Sequence, residues 1–246
     1  MSSEPSPKSA PLDPGAALYL VATPIGNLED ITLRALRTLR ECDLVAAEDT
    51  RRTGQLLKHF GISKPMLSYF QFNESRRSEQ IIHRLRAGDK IALVTDAGSP
   101  GISDPGERVV RAAIAAGVRV EAVPGPSALV AAVTASGLPT GEFHFVGFLP
   151  HKSGARQRKL AALKGLEGTL VLYESPFRVE KLLTELKETM PGCQAVLARE
   201  LTKKFEEFLR GTPDELMQSL KTRSPKGEFV VLVNLGPNSS QSGHES

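Results

Sequence analysis

The residues best placed to do chemistry lie in the run from Lys90 to Glu107. Two carboxylates, Asp96 and Asp104, bracket a turn that holds three glycines and two prolines counted through Gly106. The apolar segment before it, Lys90–Thr95, is too short for a helix and reads as a buried parallel strand. Asp96 then stands at that strand's carboxyl end, where open α/β sheets bind their ligands. After the turn, Asp104-Pro105-Gly106-Glu107 is a helix start on paper. It offers an N-cap acid, a proline at the first helical position and a glutamate completing a capping box.

Five further segments share this strand-end character: Thr23–Leu28, Glu48–Arg52, Gly125–Ala128, Tyr173–Ser175 and Arg199–Lys204. Gly and Pro let backbone N–H and C=O groups approach a ligand closely. Facing one cleft, the six would suit a small, polar, flat-ringed cofactor held by main-chain contacts. The competing reading is that they are ordinary tight α/β turns. Asp96–Asp104 departs furthest from it, because strong turn chemistry and two acids coincide.

Other chemistries find no footing. There is no Walker A sequence, no G-x-G-x-x-G after the first strand and no G-x-S-x-G elbow. The five histidines show no ligand spacing with each other or with Cys42 and Cys193, so no metal site is expected. The two cysteines are far apart and read as buried thiols in a reducing compartment. No apolar run approaches the roughly 20 residues that span a bilayer, and no secretory h-region is seen at the N-terminus. A cytoplasmic protein without a membrane partner is expected. The balance of 31 basic and 28 acidic residues, net +3, is compatible with an acidic partner.

The elements that must position these loops alternate. Strands are expected at Leu18–Ala22, Leu44–Ala47, Pro65–Phe70, Lys90–Thr95 and Val118–Val123. Helices lie between them, one carrying the stripe Leu28, Ile31, Ala35, Leu36 and Leu39, another capped by Asn73. Such alternation implies a mostly parallel sheet with helices on both faces. A second alternating unit follows, with strands at Phe143–Phe148, Thr169–Tyr173, Gln194–Ala198 and Glu228–Leu235. Phe205–Leu209 is expected to pair antiparallel. Ser175 and Pro176 read as N-cap and first residue of a helix, and Thr212–Glu215 as a capping-box start. The expected domains are 17–125 and 126–236, flanked by Ser/Pro-rich tails at 1–16 and 237–246 that have little to bury.

In order along the chain stand T-P-I-G-N-L, A-E-D-T-R, D-A-G-S-P-G-I-S-D-P-G, V-P-G-P-S-A, Y-E-S-P-F-R and R-E-L-T-K. Together they resemble the tetrapyrrole-methylase superfamily, over nearly the whole chain from Ala17 to Gly236, and within it the branch that modifies ribosomal RNA. The resemblance implies an α/β fold of two domains with S-adenosylmethionine in the cleft between them, and a homodimer. It further implies methyl transfer to the ribose 2′-hydroxyl of a cytidine in 16S RNA of the small ribosomal subunit. Carried over by position, the cofactor-binding residues are Pro24, Asp96, Ala97, Gly98, Ser99, Pro100, Asp104, Ser127, Ala128 and Tyr173. Porphyrinoid-modifying relatives have a glycine-richer first loop and Gly-Asp-Pro where this chain has Asp-Ala-Gly, which argues against a porphyrinoid substrate. A porphyrinoid methylase and a non-catalytic RNA-binding module are the two alternatives.

A ribose hydroxyl is a weak nucleophile, so a base or an alkoxide-stabilising cation would help. Asp49 or Glu200 is the expected proton acceptor, and Lys203 the cation. Against this, Glu48, Asp49, Arg51 and Arg52 could simply form a salt-bridged network. For RNA, Arg51, Arg52, Arg76, Arg77, Lys152, Arg156, Arg158 and Lys159 are the cationic candidates, with Tyr69, Phe70, Phe72 and Phe148 for stacking. The bland alternative for Arg156–Lys159 is a solvated helix face.

Overall fold

The computed structural model describes residues 15–222 and 226–234. The tails expected at 1–16 and 237–246 lie outside the described residues except for Gly15 and Ala16, and Ala16 is buried. The chain divides into two compact units, one holding residues up to Pro24 and Glu29–Pro126, the other Ile25–Leu28 and the residues from Ser127 on.

The first unit is a five-stranded sheet of order β3-β2-β4-β1-β5. Its strands are β1 (Ala17–Val21), β2 (Leu44–Ala47), β3 (Met66–Ser68), β4 (Lys90–Val94) and β5 (Arg119–Val123). Every pairing in it is parallel. Helices α1 (Leu33–Glu41), α2 (Thr50–His59), α3 (Glu74–Arg86) and α4 (Glu107–Ala115) connect them. Strand alternation divides the core. Val45, Ala47, Ala92 and Val94 pack with Ala35, Leu39 and Leu57 of α1 and α2. Leu44, Ala46, Ile91 and Leu93 pack on the other face with Ile81, Leu85, Val109 and Ala113 of α3 and α4. Burial on both faces explains the unbroken apolar runs of β2 and β4.

This topology fixes the place for a site. The connection leaving β2 passes to one face of the sheet and that leaving β4 to the other. The switch point therefore lies between the carboxyl ends of β2 and β4.

The second unit is also five-stranded, with order β6-β7-β10-β8-β9. Its elements are β6 (Phe143–Phe148), β7 (Thr169–Glu174), β8 (Gln194–Arg199), β9 (Glu207–Gly211) and β10 (Phe229–Asn234), with α5 (Ala128–Ser136), α6 (Ser153–Leu163), α7 (Val179–Thr189) and α8 (Pro213–Lys221). Here the expected parallel sheet is corrected. Only β6 and β7 run parallel, while β10 pairs antiparallel with both β7 and β8, and β8 with β9. The last strand threads back between two earlier ones, which alternation of elements does not reveal. One face packs against Leu160, Leu182, Leu186 and Leu216 of α6, α7 and α8. The other packs against Ala132 and Val133 of α5, with Ile25 alongside.

Three expected helix starts differ. Helix α4 begins at Glu107 behind Gly106, which has φ 153° and no side-chain cap. Gly106 donates its N–H to Glu74 Oε1 at 3.2 Å, and a Cβ on it would lie 3.1 Å from the Gly101 nitrogen. Tertiary contacts, not Asp104, set that entry. Asn73 holds the N-cap position of α3 but turns its side chain back, accepting from Phe70 N and donating to Ser68 O. Helix α7 starts at Val179, because Ser175–Arg178 forms a turn in which Ser175 O accepts from Arg178 N and Val179 N. The capping box of α8 stands as expected on Thr212 and Glu215.

Candidate functional site

In the first unit the expected residues gather at the switch point. Strand β2 delivers Glu48 and Asp49, and β4 delivers Asp96. Asp49 N–H donates to Asp96 Oδ1 at 3.2 Å, and Asp96 N–H donates to Glu48 Oε2 at 3.3 Å. Arg52 Nη1 lies 3.1 Å from Asp96 Oδ2. Next along the sheet, Thr23 and Gly98 exchange both backbone hydrogen bonds at 2.9 Å, an isolated bridge between the loops after β1 and β4. Gly98 makes this turn at φ 79°, a conformation that a side chain strongly disfavours. The bridge leaves Ala97 exposed at the tip while Gly98 and Pro100 are buried. Pro24 follows the bridged Thr23 and is half-buried.

The acids in this cluster are tuned apart. Asp49 caps α2 through Arg51 N and also holds the Arg51 guanidinium at 2.8 Å. Those bonds keep its carboxyl far below the usual carboxylate range. Glu48 is pushed up, first by burial and then by Asp96. Asp104 is pushed up to about 7, by burial first and by the charges of Glu48 and Asp96 next. Arg51 and Arg52 pair with Asp49 and Asp96, so the surplus carboxyls are Glu48 and Asp104.

In the second unit, Glu200 and Lys203 lie side by side. Lys203 Nζ donates to Glu200 Oε1 and Glu228 Oε2, each at 2.9 Å. Glu200 Oε1 also accepts from Glu228 N at 3.0 Å. Burial opposes the Lys203 charge, but Glu228 and Glu200 outweigh it and hold its proton more tightly than usual. Burial likewise opposes the Glu200 charge, and Lys203 outweighs it, so the carboxyl sits below its ordinary range. The loop is strained: Glu200 and Thr202 have φ of 49° and 65°, and Thr202 Oγ1 is buried without a hydrogen-bond partner. Such outliers cost about 1–3 kcal/mol each and gather at functional sites. Gly26 is part of this constellation, since a Cβ there would lie 2.5 Å from Lys203 Cγ. Its place was not legible, because only the fold brings residue 26 to residue 203.

Ser127 caps α5 by accepting from Val130 N at 3.5 Å, with Ala128 next to it at the first turn. Tyr173, next to last in β7, lies edge-on to Phe145 and Phe148, ring centroids 5.0 and 5.6 Å away. Glu174, which sequence reasoning missed, is buried, and its Oε2 has no hydrogen-bond partner.

The residues expected to meet RNA are sorted by burial. Arg51, Arg52, Arg158 and Lys159 are exposed. Arg156 is not: it is 2% exposed, with its Nε and Nη2 on Glu185 at 2.5 and 2.7 Å. It is a structural ion pair, and a run of basic letters could not show which one turns inward. Tyr69, expected to stack, is also buried, with its hydroxyl between Glu74 and Ser78. Phe70, Phe72 and Phe148 are exposed. Among the described residues no cluster of His, Cys, Asp and Glu could hold a metal ion, and no helix is long and apolar enough to cross a membrane.

A family model for tetrapyrrole (corrin/porphyrin) methylases matches residues 17–217. The chain belongs to this family. Among curated relatives, a Xylella fastidiosa protein is 50% identical over 219 residues, covering 88% of this chain and 80% of the relative. One from Halalkalibacterium halodurans is 47% identical, covering 90% and 76%. One from Thermotoga maritima is 46% identical, covering 88% and 97%. All three are named ribosomal RNA small subunit methyltransferase I. Solved structures confirm the fold at lower identity. Uroporphyrin-III C-methyltransferase from Thermus thermophilus aligns with TM-score 0.63 at 23% identity, covering 89% of this chain and 94% of that one. A diphthine synthase aligns with TM-score 0.69 at 18% identity, covering 89% of each.

Proposed function

We propose that this protein is an S-adenosylmethionine-dependent methyltransferase of small-subunit ribosomal RNA, acting on the ribose 2′-hydroxyl of a cytidine in 16S RNA. The observation that carries the reading is the near-half identity, over about nine-tenths of the chain, to relatives named for small-subunit ribosomal RNA. The porphyrinoid reading rests on the breadth of the family model and on fold likeness, at 23% identity or less in the solved structures above.

The residues present suit the cofactor. S-adenosylmethionine supplies an activated methyl group on a cationic sulfonium and carries an ammonium at its other end. The first unit offers a switch-point loop with surplus carboxyls, Glu48 and Asp104, beside Asp96. In this reading Pro24, Asp96–Pro100, Asp104, Ser127, Ala128 and Tyr173 bind the cofactor. Tyr173 supplies an aromatic wall for a flat ring, held in place by Phe145 and Phe148.

For the chemical step, Lys203 is the group suited to stabilise charge building on the ribose oxygen, because its two carboxylate partners keep it protonated. Of the two proton acceptors, Glu200 suits the role better than Asp49, whose carboxyl is committed to the α2 cap and to Arg51. The first task of the chain is alignment and exclusion of water, which can remove about 7–11 kcal/mol of barrier. A cytosolic homodimer engaged with the small subunit completes this proposal.

Calorimetry with S-adenosylmethionine, followed by labelled-methyl transfer to unmodified small subunits, naked RNA and a porphyrinoid, tests the reading. Binding with label on ribosomal RNA supports it. Label on the porphyrinoid alone, or no cofactor binding, contradicts it.

A further inference from the structure

The exposed aromatics of the second unit are not scattered. Strands β6, β7 and β8 all point the same way, since β10 is antiparallel to both β7 and β8. Their carboxyl ends therefore share one edge of the sheet. The register puts Phe148 beside Tyr173, and Glu174 and Arg199 on either side of Phe229. On that edge Phe148 ends β6 at 58% exposure, Phe177 follows β7 at 90%, and Phe205 follows β8 at 71%. From β6 to β8 is three strand spacings, about 14 Å.

The segments carrying Phe148 and Phe177 are tied down. Phe148 comes directly after a register shift at Gly147 (φ 69°), and its ring is fixed edge-on against Tyr173. The loop after it is stapled by two arginines. Arg178 donates to Leu149 O at 3.0 Å, and Arg156 donates to Pro150 O and His151 O at 3.2 and 3.0 Å. Each arginine is anchored by a buried glutamate, Glu174 and Glu185. Phe177 is the residue before the pinned Arg178. Arg178 Nη1 also faces His151 Nδ1 at 3.2 Å. Guanidinium only donates, so Nδ1 accepts and the His151 proton stays on Nε2 as a further donor.

Cations accompany the rings. Lys152 is exposed next to His151, and Lys204 Nζ lies 5.7 Å from the Phe205 centroid. A protein partner's contact core would be depleted of lysine. Flat rings with exposed cations on the same edge instead match unpaired nucleic acid, whose bases stack on aromatics while its phosphates meet Lys and Arg.

We propose that this edge is a stacking platform for unpaired RNA bases, with Phe148, Phe177 and Phe205 as the rings and Lys152, His151 and Lys204 as phosphate and sugar contacts. It rests on the RNA-modifying function proposed above and adds where the strand is gripped. Each stacked base is worth roughly fivefold to a hundredfold in affinity.

The chain contains no tryptophan, so Phe177→Trp introduces a single fluorophore. Titrating a 12-nucleotide oligocytidylate should quench it strongly, and a duplex of equal length much less. A signal unmoved by the single strand, or moved equally by the duplex, overturns the platform. As a second measurement, the variant with alanine at Phe177 and Phe205 should bind oligocytidylate at least about tenfold more weakly, with S-adenosylmethionine affinity, melting temperature and mass by light scattering unchanged. Unchanged RNA affinity overturns the proposal, and a lower mass with unchanged RNA affinity assigns the edge to a second copy of the chain instead. Wild-type methylation of small subunits, measured alongside, separates the two readings: if it proceeds while the platform tests fail, the function stands and only the platform falls.

Discussion

Asp49 and Asp96 are tied across the switch point of the first sheet, the amide of Asp49 donating to the carboxylate of Asp96 at 3.2 Å. Asp96 in turn holds Arg52 and is held by Glu48 through its own amide. One carboxylate thus joins the start of α2 to the loop after β4. Asp96→Ala removes both the acceptor and the charge, and S-adenosylmethionine affinity should fall at least about tenfold by calorimetry. Asp96→Asn keeps an acceptor for Asp49 N–H and loses the charge. Its fold should be intact by circular dichroism while affinity still drops. Wild-type affinity in both variants would remove Asp96 from the site.

Asp104 sets a pH dependence. Its folded carboxyl titrates near 7 against an ordinary 3.8, so the folded state holds a proton that the unfolded chain has released between those values. Stability from this group is therefore full below about pH 4 and is lost as pH rises to about 7. Asp104→Asn should stabilise the protein at pH 8 by about 1–2 kcal/mol, allowing for its partial exposure, and by little at pH 4. A cationic cofactor favours the ionised form, so wild-type affinity should climb between pH 6 and 8 while that of Asp104→Asn stays flat. Thermal melts and calorimetry across this range check both signs.

Lys203 separates binding from chemistry. Lys203→Met should leave S-adenosylmethionine affinity unchanged and lower the single-turnover rate by about 10²–10³, the cost of losing one charge-stabilising donor. Gly26→Ala places a methyl 2.5 Å from Lys203 Cγ, too close to be tolerated without moving that side chain, and should reproduce part of the loss while sparing the charge. If alanine at both Asp49 and Glu200 leaves the single-turnover rate unchanged, neither carboxylate takes the proton.

Arg156 and Arg158, two residues apart, should fail in different ways. Arg156→Ala leaves the buried Glu185 charge uncompensated and should destabilise by about 3–5 kcal/mol, seen in denaturant melts. Arg158→Ala and Lys159→Ala should melt like wild type. Each should flatten the salt dependence of RNA binding by up to about 0.7 in log–log slope. Equal destabilisation by all three would contradict the burial pattern.

Strand positions and the strand-end loops were legible because short unbroken apolar runs and turn residues are local signals. What was not legible depends on partners distant in sequence. Asp104 has every local mark of an N-cap, yet the bond from Gly106 to Glu74 decides where α4 begins. Arg156 looks like its neighbours Arg158 and Lys159 until Glu185 arrives from α7. The return of β10 between β7 and β8 leaves no trace in alternation, so the second sheet reads as parallel when it is largely antiparallel. Phe177 and Phe205 look like stray apolar residues until the topology brings them to one edge.

The most direct measurement is transfer of labelled methyl from S-adenosylmethionine to small ribosomal subunits purified from cells lacking this modification. The account predicts label approaching one methyl per particle, recovered as a 2′-O-methylated cytidine, and lost with Asp96→Ala. Particles that stay unlabelled under an active, cofactor-binding preparation would contradict it.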